Sequence, residues 1–244
     1  MIAQAIVTVR EDQAVDVSDR GRPMEGAAPV VVVPPARERD APDLTRSAMR
    51  VKRVLDVLLA LLGLLALAPV VAVIAAVIAL DSRGGVLYRQ QRVGRHGRHF
   101  EMLKFRTMVA GADAMKDALR ARNEALEGLF KIAEDPRVTR VGRWLRRTAL
   151  DELPQLLNVL KGEMSLVGPR PLVLEEDVRI AGRHRRRLEL TPGMTGPWQI
   201  LGPARASLGE MAAIDCRYVA EWSLWTDVKI LLRTVGHVFG RRGL

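Results

Sequence analysis

Asp151 and Glu152 stand side by side, followed by Leu153-Pro154, with Arg146 and Arg147 about one helical turn upstream. Proline is accepted only in a first helical turn, so this spacing predicts a helix starting near Asp151, with Asp151 as N-cap and Glu152 at the first position. A helix N-terminus favours anions and keeps a carboxylate ionised, the form that attacks phosphorus. Two adjacent carboxylates also suit Mg²⁺, which takes one or two of them together with substrate phosphates. Arg146 and Arg147 have the chemistry to clamp phosphate oxygens in bidentate fashion. The same residues equally read as a plain helix cap beside a solvated basic face.

Further phosphate-binding candidates lie on either side. In Gly168-Pro169-Arg170-Pro171 two prolines stiffen the backbone around one arginine, which would aim its guanidinium with little entropy left to lose; the other reading is a surface loop. Lys104 and Arg106 flank Phe105 and share a face if the segment is extended, as phosphate ligands or as a solvated strand edge. The run Arg183-His184-Arg185-Arg186-Arg187 reads as a solvated or lipid-headgroup face. His96 and His99 sit beside glycines without partner ligands, which argues against a metal site there. The single cysteine, Cys216, excludes a disulfide framework and a Cys-based zinc site.

The elements that must hold these residues follow a membrane-like segment. Positions 57–80 run without a charge, long enough as a helix to cross a bilayer. Pro69 at the middle predicts a kink. Arg46, Arg50, Lys52 and Arg53 precede the run, and Arg83, Arg89, Arg92, Arg95 and Arg98 follow it. Basic flanks stay cytoplasmic, so both sides agree with a turn-back; the alternative is a spanning helix with a proline kink. The chain's net charge of +10 is uneven. Residues 1–50 carry seven Arg and eight acids, and read as a disordered tail without a secretory signal. The rest holds 31 basic and 20 acidic residues. There, residues 88–108 predict a hairpin, 113–130 a polar helix and 138–160 a helix broken near 150–154. A rigid turn at 191–196 and helices over 210–221 and 224–239 follow. The last helix carries Leu224, Val228, Leu231, Val235 and Val238 as one stripe, read as packing ahead of membrane-surface contact.

Five ordered blocks together resemble the bacterial sugar transferases, the monotopic polyprenyl-phosphate phosphoglycosyltransferases. They are KRVLDV (52–57) with its proline-interrupted run, KFRTM (104–108), the stretch 135–171, TPGMTGPWQI (191–200) and the stretch 215–234. The resemblance implies an α+β, mostly helical fold. A tail (1–50) precedes a re-entrant membrane helix-break-helix (51–82) broken at Pro69. A small cytosolic catalytic domain (83–244) with amphipathic membrane-surface helices completes it. It implies that Asp151 is the nucleophile and Glu152 its acidic neighbour, with Mg²⁺ bound at both. It gives Arg146 and Arg170 phosphate-binding roles, and a candidate nucleotide-sugar loop carrying Pro192, Gly193, Gly196, Gln199 and Asp215. The implied activity is transfer of a sugar-1-phosphate from a UDP-sugar to undecaprenyl or a similar polyprenyl phosphate, releasing UMP, through an aspartyl phosphosugar. It would open exopolysaccharide, capsule, O-antigen or glycan assembly at the cytoplasmic leaflet of the bacterial inner membrane. The chain departs from the family pattern in two places: Ala68-Pro69 replaces the usual Ser-Pro, and Gly202-Pro203 with Arg205 replaces a Gly-Arg pair. The tail takes the place of the multi-span N-terminal region of larger members.

Two other functions compete. A membrane-tethered basic protein binding anionic lipid or nucleic acid would explain the charge but not Asp151-Glu152; sparse aromatics, 4% of residues, speak against nucleic acid. A sugar-only glycosyltransferase would release UDP in place of UMP. No pattern speaks to oligomeric state.

Overall fold

The uncharged run forms the body of a 36-residue helix, α1 (Arg46–Asp81), about 54 Å long. The computed structural model describes residues 46–115, 117–123, 132–201 and 207–240. The expected tail therefore lies outside the described residues up to position 45, and α1 begins inside the span assigned to it. Pro69 sits inside α1 without ending it. Proline removes one main-chain hydrogen bond, and the apolar turns on either side keep their own.

α1 has two unlike sides. Lys52, Asp56, Ala60, Ile74 and Ile78 are buried, whereas Leu58, Leu62, Val73 and Leu80 are exposed, as is Leu65 at 67%. Ala60 packs with Phe100, Met102, Leu156 and Val159; Ile74 and Ile78 pack with Phe105 and Leu145. Polar clamps hold both ends. Lys52 Nζ donates to Asp227 (2.6 Å) and to the Val167 carbonyl (3.0 Å). Asp56 accepts from Ser165 Oγ at 2.8 Å and the Leu166 amide at 3.1 Å. At the far end Arg106 donates to the Ser82 carbonyl at 2.7 Å.

The predicted hairpin is present. β1 (Leu87–Val93) pairs antiparallel with β2 (His99–Phe105), Tyr88 opposite Lys104 and Arg92 opposite Phe100. Its turn takes His96 to φ 56° and Gly97 to φ 76°. The polar helix expected over 113–130 is not seen in its described part, where turns lead to a 3₁₀ segment, Asp117–Arg122; 116 and 124–131 lie outside the described residues. The described part lacks an apolar stripe, so no packing energy favours an α-helix there.

The helix broken near 150–154 resolves into α2 (Arg140–Arg147), a 3₁₀ turn (Leu150–Glu152) and α3 (Gln155–Lys161). Thr139 caps α2, accepting the Gly142 amide at 2.9 Å. Asn158 of α3 is fully buried and joins the hairpin edge: it accepts from the Leu103 amide at 3.0 Å and donates to the Glu101 carbonyl at 2.7 Å. β3 (Ser165–Val167) runs parallel to β4 (Gly193–Thr195), so the expected turn at 191–196 is partly a strand. α4 (Leu174–Asp177), a 3₁₀ helix (Gly182–Glu189), α5 (Pro197–Leu201), α6 (Leu208–Ala220) and α7 (Leu224–Gly240) complete the order. The protein is thus mostly helical, with one long apolar helix ahead of a folded body.

On α7 the stripe read as packing is split: Leu224 and Leu231 pack against the core, whereas Val228 and Val235 are exposed. Ile230 is buried, and Trp225 and Leu232 are exposed. Asp227 sets the rotation: it accepts Lys52, Tyr218 Oη (2.6 Å) and Trp222 Nε1 (3.3 Å), and this buried ion pair turns its side of the helix inward. The Arg183–Arg187 run is not uniformly solvated either, because Arg187 is buried on Asp215 (3.0 Å).

Candidate functional site

After α2 the chain turns sharply. Ala149 adopts a left-handed conformation (φ 55°, ψ 14°), and Leu150 and Leu153 dock against Ile78, Phe105 and Leu145. That anchoring places Asp151 inside the 3₁₀ turn, 8% exposed. The expected N-cap geometry is corrected here. Ala149 occupies the cap of the 3₁₀ turn, and Pro154 the cap of α3. Tertiary docking of the two leucines overrides the capping preference of an aspartate. The electrostatics change with it: burial pushes the Asp151 carboxyl above the ordinary aspartate range, Glu152 pushes the same way, and Lys104 and Arg146 pull it back. Among the described residues no side chain donates a hydrogen bond to Asp151.

The cations arrive from three elements. Lys104 of β2 donates to Glu152 Oε1 at 2.8 Å. Arg146 of α2 donates to Thr107 Oγ1 at 2.9 Å while its charge acts on Asp151. Arg170 is half-buried in the turn after β3, and its backbone is held from below. Its amide donates to Asp215 (3.2 Å), and Arg187 donates to its carbonyl. Sequence reasoning missed a fourth member, Arg92 of β1. Its guanidinium donates to the Pro171 carbonyl at 2.9 Å and to Gln90 at 2.6 Å. Burial and the neighbouring Arg170 charge lower it to about 10, while Glu176, Tyr88 and Glu152 raise it. A signal was present: Tyr88, Gln90 and Arg92 alternate along β1 on the face that carries Lys104. Reading Arg92 only as a membrane flank hid it.

A buried carboxylate with a second one beside it, ringed by cations, is suited to handling phosphate esters. Comparison with known proteins agrees. The model of the bacterial sugar transferase family matches residues 47–241. The chain belongs to the bacterial sugar transferase family. A UDP-galactose-lipid carrier transferase of Erwinia amylovora is 47% identical over 165 residues, 66% of this chain and 34% of that protein. An undecaprenyl-phosphate galactose phosphotransferase of Salmonella typhimurium is 45% identical over 164 residues, 66% of this chain and 34% of that protein. A UDP-glucose:undecaprenyl-phosphate glucose-1-phosphate transferase of Caulobacter vibrioides is 43% identical over 192 residues, 75% of this chain and 68% of that protein. The chain thus spans about a third of the length of the first two relatives.

In this member of the family the other expected residues lie as follows. Arg147 is exposed on α2 and touches neither carboxylate. Arg106 is not brought to the acids; it binds the end of α1 through Ser82 and Ile78. Gly193 and Gly196 sit where backbones cross, since a Cβ on either would strike the Gly168 main chain. Pro192 accepts the Ser165 amide at 2.8 Å, and Gln199 donates to the Met194 carbonyl at 3.3 Å. Asp215, fully buried, braces the Arg170 turn from beneath, with its carboxyl raised to about 6 by burial against the opposing pull of Arg187. Gly202, Pro203 and Arg205 lie outside the described residues.

Asp151 and Glu152 also bear on Mg²⁺. Among the described residues no third Asp, Glu, His or Cys joins them. The described residues therefore offer two carboxylates, a set that fits Mg²⁺ when substrate phosphates complete its shell. Glu152 shares its oxygen with Lys104, and mutual repulsion in the acid pair is what a cation would relieve.

Proposed function

We propose that this sugar transferase moves a sugar-1-phosphate from a UDP-sugar onto a polyprenyl phosphate of the undecaprenyl type, releasing UMP, as an opening membrane step of exopolysaccharide, capsule or related glycan assembly. The observation that carries the reading is Asp151: a desolvated carboxylate with no side-chain donor on it among the described residues, beside Lys104 and Arg146, in a chain of this family. The names of the relatives support it in lipid-carrier and undecaprenyl-phosphate chemistry.

The reaction runs in two displacements. Asp151 Oδ attacks the phosphorus bearing the sugar. The bond from that phosphorus to the bridging oxygen breaks, and UMP departs with the electron pair. An oxygen of the polyprenyl phosphate then attacks the same phosphorus, expelling Asp151 and leaving a sugar-diphosphate lipid. Desolvation of Asp151 raises its reactivity once ionised, and Lys104 and Arg146 favour that ionised form. Arg170, stiffened by its prolines and by Asp215, orients the donor's phosphates, with Arg92 holding the turn that carries it. Glu152 fixes Lys104 and, with Asp151, would hold Mg²⁺, which would supply charge neutralisation for the departing phosphate.

α1 enters the membrane from the cytoplasmic side and returns without crossing. The folded body grips it at Lys52–Asp56 and again at Ile78–Ser82, about 45 Å apart along the helix. Because the same folded body grips both places, a helix standing through about 30 Å of hydrocarbon would carry part of that polar body into the lipid. The exposed apolar side of α1 and the exposed Trp225, Leu232 and Val235 of α7 are the surfaces that meet the bilayer.

Detergent-purified protein with Mg²⁺, polyprenyl phosphate and a panel of UDP-sugars is expected to release UMP with one of them. Release of UDP would move the protein to the sugar-only class. For topology, single cysteines at Arg46 and Arg89, in a Cys216→Ser background, are expected to react with an impermeant thiol reagent only from the cytoplasmic side. Labelling from opposite sides would replace re-entry by a span.

A further inference from the structure

An apolar groove of about 330 Å³ runs between the second half of α1 and α2, a volume near the small end of ligand-sized cavities. Pro69, Val70, Val73 and Val77 line it from α1, and Trp144 and Leu145 from α2. Trp144 is 53% exposed, so its indole is open to a ligand in the groove. We infer that this groove holds the first isoprene units of the polyprenyl phosphate acceptor, an assignment that rests on the proposed reaction.

Three observations select this occupant. The lining is aliphatic apart from one indole, so the groove takes hydrocarbon, and a nucleotide sugar has none to offer. Charge is at hand on the same helix: Arg143, Arg146 and Arg147 of α2 are exposed, a complement to a lipid phosphate. Finally, the groove shares an apolar cluster with the turn that carries the nucleophile. Its floor residue Leu145 packs with Leu150, the neighbour of Asp151, and Arg146 acts electrostatically on Asp151 itself. A phospholipid acyl chain would satisfy the lining equally. Its phosphodiester, however, is not the terminal phosphate that must reach the phosphorus held on Asp151, so the position beside the nucleophile favours the prenyl carrier.

The test uses the full chain in phosphatidylcholine nanodiscs. A polyprenyl phosphate bearing a diazirine on its first isoprene units is expected to label Val70, Val73, Val77 or Trp144, with unlabelled polyprenyl phosphate competing. Equal labelling by a diazirine phosphatidylcholine that polyprenyl phosphate does not displace would overturn the assignment. Filling the groove with Val73→Phe is expected to raise KM for polyprenyl phosphate about tenfold while KM for the UDP-sugar stays constant. Trp144→Ala, which removes an exposed side chain and burdens folding less, is expected to change the same constant in the same direction. An acceptor KM unchanged in both variants, or an equal rise for both substrates, overturns it. Absence of UMP release by the unaltered protein with every UDP-sugar defeats the proposed reaction instead, and the labelling pattern still decides the groove.

Discussion

Asp151 and Asp215 are both buried, both carry carboxyls raised by desolvation, and both lie near arginines, yet their surroundings are opposite. Asp215 receives the Arg187 guanidinium at 3.0 Å and the Arg170 amide at 3.2 Å, with Asp177 placed 3.9 Å from the same Arg187. Asp151 has charge around it but no side-chain donor upon it among the described residues, because Lys104 is committed to Glu152 and Arg146 to Thr107. A carboxylate with one oxygen committed to two donors, as Oδ2 of Asp215 is, braces the backbone. One left unoccupied beside fixed cations keeps a lone pair for an incoming phosphorus.

Removing the reactive member gives the largest effect. Asp151→Asn is expected to lower UMP release by about three orders of magnitude or more, with thermal unfolding close to that of the unaltered protein. A fully active variant would end the nucleophile assignment. Breaking the brace is next. Arg187→Met leaves Asp215 buried and unpaired, and is expected to cost about 3 kcal/mol of stability by denaturant titration.

The pH response then separates the pair. A free aspartate titrates near 3.9 and Asp215 near 6. Between those values the folded chain holds a proton that the unfolded chain has lost. The contribution of Asp215 to stability therefore falls as pH rises from about 4 to about 6. Asp215→Asn is expected to flatten that slope in melting curves taken across this window; an unchanged slope would mean that the carboxyl titrates normally. The smallest effect concerns Asp151. Its ionisation should make single-turnover UMP release rise with pH, with a midpoint above the ordinary aspartate value. Lys104→Met should move that midpoint higher, since Lys104 now lowers it. A midpoint that stays in place would show that Lys104 serves Glu152 alone.

The legible part of the fold was local. The hairpin followed from β-like alternation, and the break between α2 and α3 from Pro154. The illegible part depended on distant partners. The stripe on α7 was only partly the packing face, because Asp227 pairs with Lys52, 175 positions away, and Val228 and Val235 are left exposed. Arg187 looked like one solvated arginine among several until Asp215 came beneath it. Arg92 entered the site only through the turn at Pro171, 79 positions on.

The sequence by itself determined the apolar helix, the adjacent acids and the stiff arginine turn, together with the resemblance carried by five ordered blocks. Each is a matter of composition, spacing or backbone restriction among neighbours. Only the tertiary structure decided how deeply Asp151 is buried, which cations face it, how α1 is gripped at both ends and where an apolar groove opens beside α2. Those properties arise from desolvation and charge supplied by residues far along the chain, and no local pattern encodes them.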